Sequence, residues 1–398
     1  AEVVAQARER ARRIVAAASP RDDVDATLAL AADAFVVRAG AAPDVVAGYP
    51  WFGAWSRDTM TSYEGLFLAT GRVAEGRELL RAYAATLSEG MLANTADTGR
   101  TEYNTVDAAM WFLHAVERHV TAAADTDLAA ELLPALRGIV GHHLAGTRYG
   151  IKVDPADGLI TQGAAGEALT WMDARVHGVP VTPRLGKPVE VNALWVNGLV
   201  GLVGLAARVG TDPGDVPGLA ATALGSFRRR FPTPSLGWLH DVVDGPDGDD
   251  RALRPNQLLA WSLPHAPLEP DMPALHRVGA ALLTPLGPRS LAPGSAGYTG
   301  AHRGGPADRD RAYHQGTVWP WLWGPYADAA RKAKAHKVTA TMRNVSGADF
   351  LFSGIESHLT EFGLGSVSET ADGQPPHGAT GCPFQAWSVA EVLRARRF

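Results

Sequence analysis

Apolar residues recur at helical spacing over most of this chain, and this periodicity constrains its fold more than any other feature. Alternating patterns typical of strands are short and few. We therefore predict a mostly helical protein. The predicted helices cover residues 2–18, 22–37, 58–69, 72–88, 103–120, 125–146, 189–209, 212–231, 254–263, 270–284, 313–333, 335–356 and 381–396.

The connections between these helices alternate between short turns and long loops. Short links rich in Gly, Pro or Asp, such as residues 69–72 and 211–215, are typical of antiparallel helix hairpins. If successive hairpins form a ring, the long loops share one end of the ring and carry the functional residues. The long loops are residues 38–56, 91–102, 147–188, 232–253, 285–312 and 357–380.

This alternation predicts an all-α toroid of about six helical hairpins. An α-solenoid is the alternative, but the sequence has no repeat of fixed period, and repeat arrays seldom concentrate Trp, Asp, Glu and Arg in their loops. With no low-complexity linker, residues 1–398 are expected to form a single domain.

Composition excludes several classes of protein. With 46% hydrophobic and 20% charged residues, the chain is expected to fold around a large core. A net charge of −5 and scattered Lys and Arg argue against a nucleic-acid partner. No uninterrupted apolar run or signal-peptide pattern predicts membrane insertion or export. The single cysteine, Cys382, cannot form an internal disulfide, so we expect a cytoplasmic protein.

Tryptophans lie beside charged and amide residues in three loop segments. These segments read WFGAWSRD, TWMDAR and HQGTVWPWLWGP. Aromatic faces stack on the C–H faces of a sugar, while neighbouring polar groups bind its hydroxyls. A single tryptophan could equally be a core residue, but the clusters together predict a carbohydrate site.

The first cluster combines an irregular Gly/Pro loop with an Arg-Asp pair at a helix start. Arg57 and Asp58 could grip two sugar hydroxyls while Trp51 or Trp55 forms a platform. The alternative is that Asp58 favours the positive helix end and Arg57 forms a structural ion pair.

A second helix start carries Asn104 and Asp107, which are spaced i and i+3 on one helix face. Either they cap the helix or they point into the centre of the ring. The sequence leaves both possibilities open, because Asn and Asp are favoured caps whatever the function.

The longest loop supplies a candidate general acid. Asp173 follows Trp171, and an apolar ring beside a carboxylate can raise its pKa toward the range of a working acid. Glu190 is a competitor in the same region, and residue chemistry alone does not separate the two. Asp173 could instead pair with Arg175.

The candidate base lies on a Gly-rich loop near the C-terminus. Glu369 follows Asp173 by about 200 residues, and a glycosidase needs two carboxylates on opposite sides of its pocket. On its own this signal is weak, because lone carboxylates in loops are usually solvated.

Metal and cofactor chemistry have no support in the sequence. The acidic loop at residues 241–250 lacks the EF-hand order of ligands, His142 and His143 lack zinc-site spacing, and Cys382 has no partner at such spacing. No P-loop, dinucleotide fingerprint or nucleophile elbow occurs. We predict no metal and no cofactor.

Six ordered motifs resemble one known family. They read YPWFGAWSRDTM, TEYNTVDAAMWF, TWMDARV with TPRLGKPVEVNALW, DVVDGPDGDDRALRPNQ, AYHQGTVWPWLWGP and SETADGQPPHGATGCPFQAWSVAEVLR. Together they resemble the C-terminal amylo-α-1,6-glucosidase domain of glycogen debranching enzymes, from about residue 22 to the end. The resemblance implies an (α/α)6 barrel and an inverting glucosidase that removes α-1,6-linked glucose from glucan branch points.

The resemblance also assigns roles, motif by motif. It makes Asp173 the general acid and Glu369 the general base, and it alone favours Asp173 over Glu190. It implies that Trp55, Arg57 and Asp58 hold the glucose. The other residues that it places in the pocket are Trp51, Asn104, Asp107, Trp171, Lys187, Glu190, His314, Gln315 and Trp319.

The chain departs from the family pattern at its N-terminal side. Full debranching enzymes carry either a small β-rich domain or a glucanotransferase domain there, and we expect this chain to lack transferase activity. Three alternatives stay open: a glucosidase of isomaltose-type oligosaccharides, a non-catalytic glucan-binding module, and a helical-barrel hydrolase such as a trehalase or a mannosidase-like enzyme.

Overall fold

Helices dominate the computed structural model, as the periodicity predicts, and this prediction is confirmed. The structure describes residues 2–40, 42–94, 101–336 and 347–397. The α-helices are α1 Glu2–Ala18, α2 Asp23–Phe35, α3 Ser56–Thr61, α4 Val73–Ala84, α5 Ala108–Ala123, α6 Thr126–Ala145, α7 Val189–Arg208, α8 Val216–Arg230, α9 Leu259–Ser262, α10 Met272–Leu282, α11 Pro306–Ala312, α12 Trp323–His336, α13 Gly347–Glu361 and α14 Ala386–Arg396.

Most predicted helices differ from the observed ones by a few residues at each end. The predicted helix 313–333 begins later, because Gly316 has a positive φ and Trp319 is extended. The predicted helix 335–356 lies partly outside the described residues, at 337–346, and α13 covers its second half.

Short antiparallel strands occupy the long loops, and the all-α prediction did not contain them. One sheet has four strands, in which β1 and β17 flank β2 and β3 also pairs with β2. Most of the others are two-residue ladders, too short to produce an alternating pattern in the sequence. The strands are β1 Val36–Ala39, β2 Ala42–Tyr49, β3 Phe52–Ala54, β4 Lys152–Val153, β5 Ile160–Thr161, β6 Arg175–Val176, β7 Val179–Pro180, β8 Lys187–Pro188, β9 Pro232–Thr233, β10 Trp238–Leu239, β11 Val242–Gly245, β12 Gly248–Asp250, β13 Leu283–Thr284, β14 Gly287–Pro288, β15 Thr370–Ala371, β16 Ala379–Thr380 and β17 Phe384–Gln385.

Six helices contact one another in a closed cycle. In order, α3 packs on α5, α5 on α7, α7 on α9, α9 on α12, α12 on α14, and α14 again on α3 and on the π-helical turn Glu64–Leu68 that follows it. The helices α2, α4, α6, α8 and α10, which alternate with them along the chain, pack against members of this cycle. Along the chain, a helix that belongs to the cycle therefore alternates with a helix that packs against the cycle.

Helix α7 is the most apolar member of the cycle. Among the described residues it alone is long and apolar enough to be compared with a membrane-spanning helix, and 83% of the apolar window is buried inside the protein. Its composition follows from its neighbours, because α5, α6, α8 and α9 all pack against it.

The cycle closes where the π-helical turn meets α14. A Cβ atom on Gly65 would overlap the backbone carbonyl of Ala390 in α14, so the two backbones approach as closely as glycine permits. Backbone atoms cannot rotate away from such an overlap as a side chain can. A side chain at position 65 would therefore push the π-helical turn and α14 apart.

We predict that Gly65→Ala lowers the free energy of unfolding by about 2 to 3 kcal/mol, because it forces these two backbones apart. Gly138→Ala is the matched control, since nothing lies within 4 Å of a Cβ there and alanine favours the helix interior. Denaturant titration of both variants measures the effect. Equal stability of the two variants would contradict this account of the closure.

Candidate active site

A small cavity opens where the N-terminal ends of several helices of the cycle meet. Arg57 and Asp58 lie in the first turn of α3, and Gln385 is the N-cap of α14. The cavity has a volume of about 110 Å³, well below the roughly 300 Å³ at which pockets for drug-sized ligands begin. Its lining residues are Phe52, Trp55, Arg57, Asp58, Trp171, Asp173, Tyr313, His314, Trp319, Glu369, Gln385 and Trp387.

The Arg57 guanidinium organises one wall of the cavity. Its Nε donates to both carboxylate oxygens of Asp107, at 2.8 and 3.0 Å, and its Nη1 donates to Asp173 Oδ2 at 3.0 Å. The Arg57 and Asp107 side chains are almost wholly buried. The pair thereby ties α3 to the start of α5 and fixes the carboxylate of Asp173.

Three carboxylates line this cavity, and each has a raised pKa. Burial raises the pKa of Asp58 to about 7; Arg57 opposes the shift, and the charges of Asp173 and Glu369 reinforce it. Burial also raises the pKa of Asp173, against the opposing charge and hydrogen bond of Arg57. The charge of Asp173 opposes the ionisation of both Asp58 and Glu369, which adds to the effect of burial on their pKa values.

Glu369 is the most tightly held of the three. The Tyr313 hydroxyl donates to its Oε1, and the backbone N–H of Cys382 donates to its Oε2 at 2.8 Å. Burial raises the pKa of Glu369 to about 7, although both hydrogen bonds lower it. The neighbouring Gly381 has a φ of +67°, and a side chain there would overlap Glu369 Oε2.

Tyr313 stays protonated at any physiological pH. Burial and the charge of Glu369 raise the pKa of the Tyr313 hydroxyl well above its ordinary value. It therefore serves Glu369 as a hydrogen-bond donor, and the carboxylate keeps a fixed orientation in the cavity.

Aromatic rings form much of the remaining wall. His314 stacks on Trp319 with ring centroids 5.1 Å apart, and Trp171 meets both rings edge-on. Burial and nearby cations lower the pKa of His314 well below its ordinary value, so this ring is neutral. Trp387 also meets Trp319 edge-on, with ring centroids 5.8 Å apart. The cavity walls are thus largely aromatic, and the carboxylates and Arg57 are the polar groups among them.

A buried polar network behind the cavity fixes Trp171. The indole Nε1 donates to Asn256 Oδ1 at 2.8 Å, and Asn256 Nδ2 donates to Asp241 Oδ1 at 2.7 Å. Asp241 and Glu190 both bind the buried Arg184 guanidinium. Trp171 is therefore held by hydrogen bonding as well as by packing.

Several polar atoms of the cavity walls have no hydrogen-bond partner within the described residues. They are Arg57 Nη2, His314 Nδ1, Gln385 Oε1 and Trp387 Nε1. Buried donors and acceptors are normally paired, and an unpaired group costs about 1–3 kcal/mol. These four atoms have almost no accessible surface, so their missing partners add to the cost of folding the cavity walls.

Eight of the predicted site residues come together in this cavity. They are Trp55, Arg57, Asp58, Trp171, Asp173, His314, Trp319 and Glu369. They come from four separate stretches of the chain.

Three predicted residues from the first two clusters do not line the cavity. Trp51 is 64% exposed at the tip of the β2–β3 hairpin. Asn104 accepts a hydrogen bond from Asn94 Nδ2 at 2.8 Å. Asp107 is the N-cap of α5 but makes no side-chain capping bond, and it binds Arg57 instead. Asp107 thus supports the cavity wall through Arg57.

Three further predicted residues also lie outside the lining. The Lys187 ammonium binds three aspartate carboxylates at 2.7 to 2.8 Å, and so belongs to a charge cluster. Glu190 is bound to Arg184, whereas Asp173 faces the cavity. Gln315 accepts a hydrogen bond from Arg254 at 3.0 Å. These three residues lie in the same motifs as residues that line the cavity, so the sequence alone could not tell the two groups apart.

Four lining residues were not among the predicted ones: Phe52, Tyr313, Gln385 and Trp387. Each lies within one of the motifs that the sequence analysis used. Tyr313 precedes His314, and Phe52 follows Trp51. The signal that could have found them is therefore membership in the same motifs.

Metal ligation has no candidate here. In the parts of the chain that the structure describes, no group of three or more His, Cys, Asp or Glu side chains is arranged to hold a metal ion. The carboxylates of the cavity can exchange protons with a neutral polar ligand.

Comparison with known families connects this cavity to a class of protein. The sequence model of the amylo-alpha-1,6-glucosidase family matches residues 30–394, which confirms the family resemblance of the motifs. The chain is also 26% identical to the glycogen debranching enzyme of Saccharomyces cerevisiae. That alignment covers 88% of this chain but only 30% of the yeast protein.

Solved structures of glycoside hydrolase family 63 share the fold. Mannosylglycerate hydrolase from Thermus thermophilus, in complex with Tris and D-glycerate, superposes with a TM-score of 0.66 at 13% identity, covering 94% of this chain and 99% of that one. The same enzyme in complex with glucose gives a TM-score of 0.62 at 16% identity, covering 88% and 95% of the two chains. At these identities the likeness extends to the fold alone.

We predict that Glu369→Gln stabilises the protein at pH 8 by up to about 3 kcal/mol and has little effect near pH 4. The folded-state pKa of about 7 exceeds the unfolded one, so the wild type loses stability as pH rises from about 4.5 to 7. Glutamine removes this ionisation and can still pair with Tyr313 and Cys382.

Thermal unfolding of both proteins at the two pH values measures this difference. Asp25→Asn is a control of opposite sign: burial alone would raise the pKa of Asp25, but hydrogen bonds from Arg21 and Arg396 lower it, so this variant should lose stability at pH 8. If Glu369→Gln changed the stability by the same amount at both pH values, the raised pKa of Glu369 would be contradicted.

Proposed function

The chain belongs to the amylo-alpha-1,6-glucosidase family, and from this premise we propose that it is an inverting glycoside hydrolase that removes α-1,6-linked glucose from the branch points of glycogen-type glucans. Family membership supports glycosidase activity. We further propose that the closed cycle of helices is the inner ring of an (α/α)6 barrel, with the cavity at one end.

One observation carries the proposal. Asp173 and Glu369, the two carboxylates that the family motifs assign to catalysis, line one small cavity together with tryptophan rings. Most glycoside hydrolases use two carboxylates that flank the bond to be broken. The cavity is small, at about 110 Å³, and we propose that it takes one sugar ring.

The two carboxylates differ in a way that supports distinct roles. The Asp173 side chain keeps 36% of its surface open, whereas Glu369 is 3% exposed. The more open carboxyl group suits a general acid, because the leaving glucan must remain outside a cavity that holds one ring. The enclosed Glu369, fixed at both oxygens, suits a general base that orients one water molecule.

In the proposed reaction, Glu369 takes a proton from water as the water oxygen attacks the anomeric carbon. The glycosidic C–O bond breaks, and Asp173 gives its proton to the departing oxygen. Protons return to Asp173 and leave Glu369 through solvent, so the pair regains its starting state. Arg57 holds Asp173 in place through a hydrogen bond from Nη1.

The pKa shifts suggest a pH dependence for this scheme. Since the pKa of Glu369 is raised to about 7, the base would lose its ionised form as pH falls below neutrality. Burial that raises the pKa of Asp173 would help this acid keep its proton. We therefore expect activity to fall as pH drops below about 7, where Glu369 becomes protonated.

The choice of substrate rests on the family and on the size of the cavity. The chain spans about a third of the yeast debranching enzyme, so the branch-point activity of that enzyme is carried over here as a proposal. The related hydrolase solved with glucose supports a sugar as the ligand. Isomaltose-type oligosaccharides contain the same α-1,6 bond and are the alternative substrates.

We predict that Asp173→Asn and Glu369→Gln each lower turnover of a branched limit dextrin by about 10² to 10⁴-fold. The two variants should separate on α-glucosyl fluoride, because fluoride leaves without protonation. Asp173→Asn should keep most of its activity on the fluoride, whereas Glu369→Gln should lose activity on both substrates. Initial rates of glucose release measure both effects.

Asp58→Asn is the matched control, since Asp58 lines the same cavity but has no proposed role in proton transfer. Asp58→Asn should lower activity on the dextrin and on the fluoride by the same factor. If Asp173→Asn lost both activities equally, or if Glu369→Gln retained either, the assignment of acid and base would be overturned.

A further inference from the structure

A second cavity lies between the helices of the cycle, separate from the candidate active site. Its volume is about 330 Å³, three times that of the first cavity. Within the described residues, no side chain lines both cavities. Arg118 and Arg331 in its wall keep 25% and 35% of their side-chain surface exposed, so a ligand can enter from solvent.

This second cavity lies at the other end of helices that reach the first one. Arg57 and Asp58 line the first cavity from the first turn of α3, whereas Thr61, the last residue of α3, lines the second. On α14, the N-cap Gln385 lines the first cavity, and Arg394 lines the second about 14 Å further along the helix. The helices α3, α5, α9, α12 and α14 all contribute to its wall.

Charged side chains crowd this wall, and its arginines and lysine outnumber its carboxylates. The carboxylates are those of Glu64, Asp328 and Glu391, and the cations are Arg118, Arg331, Lys332 and Arg394. Arg118 binds Glu64 at 2.9 Å. Arg394 binds Asp328 and Glu391, each at 2.7 Å. Arginines therefore already neutralise the three carboxylates of the wall.

Lys332 carries the positive charge that these carboxylates do not balance. Its ammonium donates to the carbonyl of Leu263, the C-cap of α9, and forms no ion pair with a carboxylate of the described residues. Burial lowers the pKa of Lys332, although the charges of Asp328 and Glu269 oppose the shift. Burial also lowers the pKa of Arg331. An anion in the cavity would stabilise the charged form of both side chains.

Three uncharged polar groups of the wall make no hydrogen bond within the described residues. They are the Thr61 and Ser262 hydroxyls and the Trp111 indole N–H. The three residues are only 5%, 7% and 8% exposed, respectively. Unlike the unpaired atoms around the first cavity, these groups are not sealed from solvent. They can therefore donate hydrogen bonds to oxygen atoms of a ligand.

The remaining wall is apolar, and the space exceeds what a phosphate group needs. Pro264 and Pro325, with Leu259 and Leu263, contribute apolar surface beside the Trp111 ring. The volume lies above the roughly 300 Å³ at which pockets for small molecules begin. Ammonium and guanidinium groups bind phosphate oxygens, and an aromatic ring packs on the C–H face of a sugar.

We propose that the second cavity binds a phosphate monoester of a sugar-sized molecule, with Lys332 as a phosphate-binding cation and with Thr61, Trp111 and Ser262 as hydrogen-bond donors. This site shares no residue with the proton transfers proposed for the first cavity. A variant that lacks glucosidase activity should therefore bind the ester as the wild type does.

Isothermal titration calorimetry of the full chain with glucose 6-phosphate and with inorganic phosphate tests this site. We expect glucose 6-phosphate to bind once per chain and about 10-fold or more tightly than inorganic phosphate, because only the ester also contacts the apolar wall. Lys332→Met should lower the affinity for the ester about 10- to 100-fold, and Ser262→Ala about 2- to 10-fold.

Lys152→Met is the matched control, since it removes an exposed lysine on β4 and should leave the affinity for the ester unchanged. Glu369→Gln should also bind the ester normally. The site would be ruled out if glucose 6-phosphate did not bind, or if Lys332→Met and Ser262→Ala bound it as tightly as the wild type. Equal affinity for inorganic phosphate would rule out the ester, and loss of binding in Glu369→Gln would place the ligand in the first cavity instead.

Discussion

The buried guanidinium of Arg57 is the interaction on which the candidate site depends. It neutralises Asp107 at the start of α5, holds Asp173 in the cavity and lies beside Asp58 on its own helix. Without it, these carboxylates and Glu369 would face one another in a space with little water, a cost that the protein would relieve by protonation or rearrangement. The positive charge of Arg57 thus allows Asp58, Asp107 and Asp173 to lie close together.

The crowding of carboxylates around Arg57 lowers the stability of the fold, but it also gives the site acids whose pKa values suit proton transfer. Asp58 and Glu369 have pKa values raised to about 7, and donors and acceptors around them lack partners within the described residues. Both features reduce stability, and the raised pKa values are what two proton transfers near neutral pH would require. The tryptophans behind the cavity, fixed through Asn256, keep these groups in place.

The sequence predicts the helices and part of the site well, and the reasons are local. Helical periodicity persists over whole elements, and motifs such as TWMDAR concentrate cavity residues within a few positions. What it misses depends on contacts between distant loops. Tyr313 and Glu369 are 56 positions apart, and Lys187 binds aspartates on two other loops although it lies near Glu190. Short ladders such as β15 with β16 leave no periodic trace, because only two residues of each strand pair.

The anomeric form of the released sugar tests the central claim most directly. Proton NMR, recorded within the first minutes of reaction on a branched limit dextrin and on isomaltooligosaccharides, reads that form before mutarotation. The account predicts β-glucose, because Glu369 would direct water to the face opposite the departing oxygen. Early α-glucose would contradict it, since retention requires a nucleophile that forms a covalent intermediate.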